Sequence, residues 1–397
     1  MDEKKKKPAL RFAGFDDDWE QCKLGTIYEP LTERNEDKMS YNKTLSVSTM
    51  TYKEVGNGAA DSSLANYKRL RMGDIAFEGH TSKEFRYGRF VLNDAGDGIM
   101  SPRFSALRPI SELPIQFWKY YIHYEPIMKR VLVNSTKAGT MMNELVVHEF
   151  LQESVLVPSI EEQQRIGDYF RNLDHLITLH QRKLDKMKNF KKAMLEKMFP
   201  KKDEKIPEVR FEGFTDDWEQ RKLGNCFSER VESMPDGELI SVTINDGIKK
   251  FSELGRHDNS NDDKSKYKKV CVGDIAYNSM RMWQGASGYS PYEGIVSPAY
   301  TVLLPNEGIY SKCVAYQFKL PEMIHTFQIK SQGITSDNWN LKYPTLSEIE
   351  IYVSKDIKEQ ELIAEYFTYL DHLITLHQRQ LEKLKNIKKS MLEKMFV

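Results

Sequence analysis

The sequence is written twice, and that repeat limits the fold more than any other property of the chain. Residues 10–25, with the pattern Arg-Phe-x-Gly-Phe-x-Asp-Asp-Trp-Glu-Gln-x-Lys-Leu-Gly from Arg11, return as 209–224. Residues 173–182 return unchanged as 370–379, and 194–199 as 391–396. Between these anchors only fragments agree. Gly73-Asp74-Ile75-Ala76-Phe77 matches Gly273-Asp274-Ile275-Ala276-Tyr277, and Gly98-Ile99-Met100-Ser101-Pro102 matches Gly294-Ile295-Val296-Ser297-Pro298. The reading is one fold used twice with two different interiors, in four segments. Residues 1–155 and 201–352 form the variable domains, and 156–200 and 353–397 the constant helices.

The constant segments read as one coiled-coil seam in duplicate. From 161 to 199 the only Gly or Pro is Gly167. Apolar residues recur in steps of four and three at Ile166, Phe170, Leu173, Ile177, Leu184, Met187, Met194 and Met198, with His180 and Lys191 filling the gaps. The second copy keeps the register at Ile363, Phe367, Leu370, Ile374, His377, Leu381, Leu384, Lys388, Met391 and Met395. The front of each helix leans acidic (Glu161, Glu162, Asp168, Asp174) and the back is basic (Lys183, Lys186, Lys188, Lys191, Lys192). Antiparallel pairing sets acid against base and suits each helix dipole. His180 and His377 then fall near a pseudo-twofold axis. They read as register-fixing polar residues, with a pH-sensitive or metal-binding role as the alternative. Asp174-His175 and Asp371-His372 read as helix-surface polar residues rather than a catalytic pair.

Composition narrows the class. With 58 Lys+Arg against 58 Asp+Glu, the chain is no uniformly basic nucleic-acid glue, though local patches remain possible. A mean hydropathy of −0.59, with no apolar run near the ~18 residues a span needs, argues against a membrane. The lysine-rich start has no apolar stretch behind it, so it does not read as a secretory signal. Cys22, Cys226, Cys271 and Cys313 form no C-x-x-C pair, so a reduced, cytoplasmic protein is expected.

The variable segments, with short β-prone runs between Gly and Asn turns, read as α+β domains whose loops bind something. After the second Gly-Asp-Ile-Ala anchor, Asn278, Arg281, Trp283 and Gln284 offer Arg for guanine, Gln for adenine and an aromatic wedge in one stretch. After the first anchor come Lys83, Arg86 and Arg89. Lys268 and Lys269, with Lys264 and Lys266, suit phosphates, which position a protein without reading sequence. The plain alternative is that Trp283 and its flanking methionines are core and the lysines a solvated face. No G-x-x-x-x-G-K-[ST], G-x-G-x-x-G, H-E-x-x-H, zinc-type Cys/His spacing or amino-methyltransferase Asn-Pro-Pro-aromatic motif occurs. The chain does not read as an enzyme or as a metal site.

Taken with Pro158-x-x-Glu161-x-Gln163-x-x-Ile166 before the first helix and Asp-Asp-Trp-Glu-Gln-x-Lys-Leu-Gly opening each half, this alternation closely resembles the specificity subunit of type I restriction–modification systems. The resemblance covers essentially the whole chain. The second copy has Lys355-Asp356-Ile357 with no proline where Pro158 stands, so a softer helix start is expected there. The resemblance implies a non-catalytic subunit with two target-recognition domains, each reading one half of an asymmetric, bipartite DNA sequence. It also implies helices that set the spacing and dock two methyltransferase subunits, with restriction subunits joining the larger complex. S-adenosylmethionine, ATP and magnesium would sit on those partners and none in this chain. The other readings are a stand-alone sequence-specific regulator, which would bind its site tightly without partners, and a fusion with an unrecognised catalytic site.

About 38 helical residues at ~1.5 Å rise span roughly 57 Å. Half-sites one DNA turn apart, ~34–36 Å, fit alongside, and two turns do not. A methylome of cells carrying this chain with its partners should therefore show a split target with half-site centres about one turn apart. A continuous or palindromic target would refute the bipartite reading.

Overall fold

The computed structural model describes residues 7–53, 61–244, 247–255, 257–258, 260–333 and 338–397; the lysine-rich residues 1–6 lie outside them. The chain divides into two compact units, Met1–Gln181 with Arg379–Val397, and Arg182–Gln378.

In the first unit β1 (Glu20–Lys23) pairs antiparallel with β10 (Ser154–Val157), so the opening motif closes onto the residues that precede the long helix. Between them, β2 (Tyr28–Pro30), β4 (Ile75–Glu78), β5 (Arg89–Leu92) and β7 (Ala106–Pro109) form an antiparallel sheet in the order β2-β7-β4-β5. Two smaller pairs, β3 (Lys68–Leu70) with β6 (Gly98–Met100) and β8 (Thr136–Lys137) with β9 (Glu144–Leu145), stand beside it. The helices α1 (Ile115–Tyr121), α2 (Glu125–Ser135) and α3 (Val147–Gln152) bury Phe117, Trp118, Tyr121 and Phe150 in its core. Then comes α4 (Ile160–Met198).

The second unit repeats the plan. β11 (Glu219–Lys222) leads into the short helix α5 (Leu223–Cys226) and pairs with β20 (Glu350–Val353). β12 (Phe227–Glu229), β16 (Ile275–Asn278), β17 (Ser287–Tyr289) and β19 (Tyr300–Pro305) take the order β12-β19-β16-β17. β15 (Lys268–Val270) pairs with β18 (Gly294–Val296), and a hairpin of β13 (Ile240–Thr243) and β14 (Gly247–Lys250) is added. α6 (Ser311–Gln317), α7 (Pro321–Lys330) and α8 (Tyr343–Ser347) precede α9 (Ile357–Met395). Each unit is thus mixed α and β, as the turn-rich variable segments imply.

The long helices pair antiparallel within each unit. In the first, the front of α4 meets the end of α9: Lys388 Nζ lies 2.7 Å from Asp174 Oδ1 and 4.9 Å from the centre of the Tyr120 ring. In the second, Lys191 Nζ lies 2.5 Å from Asp371 Oδ1 and 5.2 Å from the Tyr316 ring. Tyr120 donates its hydroxyl to Asp174 at 2.6 Å, and Tyr316 to Asp371 at 2.9 Å. Asp174 and Asp371 are therefore more than surface residues: they neutralise the lysines that occupy apolar seam positions. Ile166, Phe170, Leu173, Leu184, Ile363, Phe367, Leu370, Ile374, His377 and Leu381 are buried, and Ile177, His180, Met187 and Leu384 half-buried. Gly167 has a steric reason, since a Cβ there would lie 2.6 Å from the amide nitrogen of Phe117 in α1.

The helix ends complete the cores. Phe396 sits 5.5–5.9 Å from the rings of Phe117, Tyr121, Tyr124 and Phe170, and Leu10 N–H donates to Lys394 O at 2.9 Å. In the second unit Phe199 packs on Trp218 and Phe367, and Val209 N–H donates to Lys197 O at 2.9 Å. The helix starts are fixed just as firmly. Ser159 Oγ accepts the Glu162 amide at 3.4 Å, and Asp356 Oδ1 accepts the Lys358 amide at 2.8 Å. The softer start expected for α9 is not seen: Lys355 stands in place of the proline, but Asp356 caps α9 at the position where Ser159 caps α4, and both helices run 39 residues.

One arginine of each opening motif clamps the glutamate in the first helical turn. Arg11 forks onto Glu162 at 2.9 and 2.7 Å, and Arg210 onto Glu359 at 2.6 and 2.9 Å. Glu359 is fully buried and also accepts the Trp218 indole N–H at 3.1 Å. Arg210→Leu leaves that charge without its ion pair and should destabilise the second unit by ~3–5 kcal/mol. The double change Arg210→Leu with Glu359→Leu should recover much of the loss. Urea unfolding followed by tryptophan fluorescence measures both; a harmless single variant would refute the clamp.

Candidate nucleic-acid interface

The two copies of Gly-Asp-Ile-Ala build the same turn and strand. Gly73 and Gly273 take positive φ (+92° and +99°), which turns the chain into β4 and β16. Asp74 and Asp274 are buried and accept the backbone N–H groups of Arg71 and Cys271 at 2.7 and 2.8 Å. Burial pushes the Asp74 carboxyl up, and the Arg108 guanidinium opposes it. Each carboxylate is met by an arginine fork, but the arginine comes from a different strand in each unit. Arg108 on β7 reaches Asp74 at 3.0 and 2.8 Å, whereas Arg230, just after β12, reaches Asp274 at 2.8 and 3.0 Å. Backbone pairing makes Leu31 the counterpart of Arg230, because their amides donate to Ala106 O and Val302 O. Arg108 faces Glu29 as Leu304 faces Ser228. The aspartate is repeated and the arginine has changed strands.

At the end of this strand the two units diverge. In the second, a tight turn over 279–286 carries the predicted readers. Asn278 Oδ1 accepts the Met280 amide at 3.0 Å, Arg281 N–H donates to Asn278 O at 2.9 Å, and Gly285 closes the turn at φ +82°. Met282 is buried beneath it. Arg281 is exposed, and no ion pair is formed by it among the described residues. Trp283 and Gln284 are half-buried. Trp283 donates to Met280 O at 3.1 Å and meets Trp339 edge-on at 5.2 Å.

In the first unit the segment 79–88 leaves Lys83 and Arg86 exposed. Arg89 belongs to β5: its Nε lies 3.0 Å from Glu78 Oε2 and its guanidinium 5.0 Å from the Phe85 ring, while Glu78 Oε1 meets His80. Its charge is already balanced within the fold. The same holds for Lys268 and Lys269 on β15, which pair with Glu229 and Glu232 at 3.2 Å. The structure thus brings Asn278, at the end of β16, together with Arg281, Trp283 and Gln284 in the turn that follows, and Lys83 and Arg86 into one loop. It puts Lys268 and Lys269 on a separate strand pair.

Further residues reach the same loops without a signal in the local sequence. Asn143 N–H donates to Gly79 O and Leu341 N–H to Ser279 O, both at 2.9 Å, so a distant segment is tied beside each turn. A Cβ at Gly79 would lie 1.9 Å from Asn143 O, which explains the glycine. Trp339 arrives by this route. So does Met141, which meets Arg103 of the β6–β7 link at 3.4 Å beside a cavity of about 290 Å³ in the first unit. Among the described residues no cluster of three or more His, Cys, Asp or Glu could hold a metal, and no helix is long and apolar enough to cross a membrane.

Comparison with known proteins places this geometry. The sequence profile of the type I restriction modification DNA specificity domain matches residues 17–189 and again 215–386. The MjaX type I restriction enzyme specificity subunit of Methanocaldococcus jannaschii is 25% identical over 238 residues, 53% of this chain and 52% of that protein. The chain thus spans about half the length of the curated relative it matches. The crystal structure of the type I restriction–modification S subunit from M. genitalium superposes with a TM-score of 0.60 at 13% identity, over 98% of this chain and 99% of that one. A chain from a study of type I R-M complex assembly and conformational transition gives 0.51 at 15% identity, over 97% and 99%. At such identities the likeness is one of fold.

The exchanged arginine gives a test of the buried fork. Arg230→Leu should cost the second unit ~3 kcal/mol, because Asp274 stays buried. Adding Leu304→Arg, which copies the first unit, should return more than half of that in urea unfolding; no recovery would show that the two strands are not equivalent.

Proposed function

This chain belongs to the type I restriction modification DNA specificity family, whose domain it carries twice, and on that premise we propose that it is the DNA-reading subunit of a type I restriction–modification complex. Each unit reads one half of an asymmetric, bipartite duplex sequence. The helices α4 and α9 set the spacing and dock two methyltransferase subunits, and restriction subunits complete the assembly. The chain itself is non-catalytic and works in the cytoplasm, with S-adenosylmethionine, ATP and magnesium held by the partners. The four segments 1–155, 156–200, 201–352 and 353–397 are its recognition domains and spacers.

One observation carries this reading. Two units with the same sheet order present unlike loops at the same place, directly after a repeated strand. Arg281 and Gln284 stand in one, and Lys83 and Arg86 in the other. A shared scaffold with different tips suits recognition of two different half-sites, since base edges in the major groove are told apart by such side chains. Asn278 and Trp283 shape the turn around Arg281. Lys268, Lys269 and Arg89, already paired with carboxylates, act on phosphates only by exchanging those partners.

Arg281→Ala should relax a single base pair of one half-site by ~1–3 kcal/mol in a methylome of the assembled system, leaving the other half-site unchanged. An even loss across all sequences would make Arg281 a phosphate contact or a structural residue.

A further inference from the structure

Beneath each of these loops lies a half-buried basic side chain from the link between two helices. In the second unit Phe318-Lys319-Leu320 joins α6 to α7. Lys319 Nζ donates to Gly285 O at 2.6 Å, Ser287 O at 2.8 Å and Ile244 O at 3.4 Å. No ion pair to a carboxylate is formed by it among the described residues. Burial, and then the neighbouring charge of Lys191, pull its ammonium pKa down to about 8, against Asp371. Holding a charge on carbonyl dipoles alone is costly, and an apolar side chain of similar length would avoid the cost if packing were all that mattered. Two of the three carbonyls belong to the exit of the turn that carries Arg281 and Gln284.

The first unit holds a different residue at the same place. Tyr120 and Tyr316, which bond to Asp174 and Asp371, each stand three residues before the position in question, so His123 is the counterpart of Lys319. His123 Nδ1 lies 3.0 Å from Phe90 O on β5, and its ring is 5.0 Å from Phe85 in the 79–88 segment. Burial lowers its pKa, which favours the neutral ring with one N–H for that carbonyl. Two unlike loops are thus anchored from one position by two unlike donors, one reaching the turn itself and the other the strand and ring that back the longer segment.

We propose that Lys319 and His123 are positioning residues for sequence readout, each fixing its own unit's reading loop so that the side chains on it meet their base edges. This rests on the reading above that these loops face DNA. Direct readout depends on side chains held to within about 0.5 Å, and a loop is that exact only when its backbone is tied down.

The test uses the full chain with its partner methyltransferase and restriction subunits, and compares methylation maps for Lys319→Met, Lys319→Arg and His123→Phe. Lys319→Met should lower discrimination at a base pair of the second unit's half-site about tenfold while the other half-site stays sharp. Lys319→Arg, which still donates to carbonyls, should restore most of it. His123→Phe should give the mirror result, and decides the matter if Lys319→Met abolishes methylation altogether. An even loss at all sites, with base preferences intact, overturns the proposal. So does an unchanged map for these variants while Arg281→Ala still blurs one half-site, an outcome that leaves the DNA reading standing. If Arg281→Ala also leaves both half-sites sharp, the reading of these loops fails, and the positioning role with it.

Discussion

Burial of Phe396 among Phe117, Tyr121, Tyr124 and Phe170 is the contact on which the first unit depends. These rings supply much of its apolar core, and the last of them comes from the far end of the chain. The second unit does the same with Phe199 between Trp218 and Phe367. A long helix would gain little from its seam alone in a single copy. Here each seam is capped by a ring driven into a globular core, and each entry glutamate is clamped by an arginine from the opening motif. Helix and domain therefore form one cooperative block in each unit. Seam lysines are tolerated because an aspartate and a tyrosine from the same unit neutralise and cover them.

Much of this plan can be read from the sequence, because it rests on long periodic segments. Ile166, Phe170 and Leu173 recur at heptad spacing over several turns, and a signal of that length survives local exceptions such as Lys191. The charge gradient predicts the antiparallel direction, and the contacts within each unit agree with it. The sheets are less legible. Their strands run mostly three to four residues, too short for alternation to register, so β-rich domains can be read but not the order β2-β7-β4-β5. The start of α9 shows the opposite case: a missing proline predicts a softer start, but Asp356, one residue before the helix, caps it.

The candidate reading loops divide along the same line. The Arg281 turn was visible because its residues are neighbours in sequence and follow a repeated strand. Trp339, Arg103, Met141 and Lys319 were not, because each reaches the loops from a distant segment through a backbone or side-chain contact that no local pattern encodes. Lys268 and Lys269 show what a run of lysines leaves out: their carboxylate partners lie on β12 and just after it, so the local sequence records the positive charge and not its pairing. The aspartate–arginine fork shows the reverse. Its acid is repeated at Asp74 and Asp274, while its base moved between strands, so an electrostatic requirement was kept through a change of residue position.

Closure of the first unit by Phe396 also sets the order in which the protein can be completed during synthesis. Domains generally fold as they leave the ribosome, the amino-terminal one first. Here the last ring of the earlier domain's core, Phe396, is made after every strand of the later domain, whereas the later domain's Phe199 precedes its own strands.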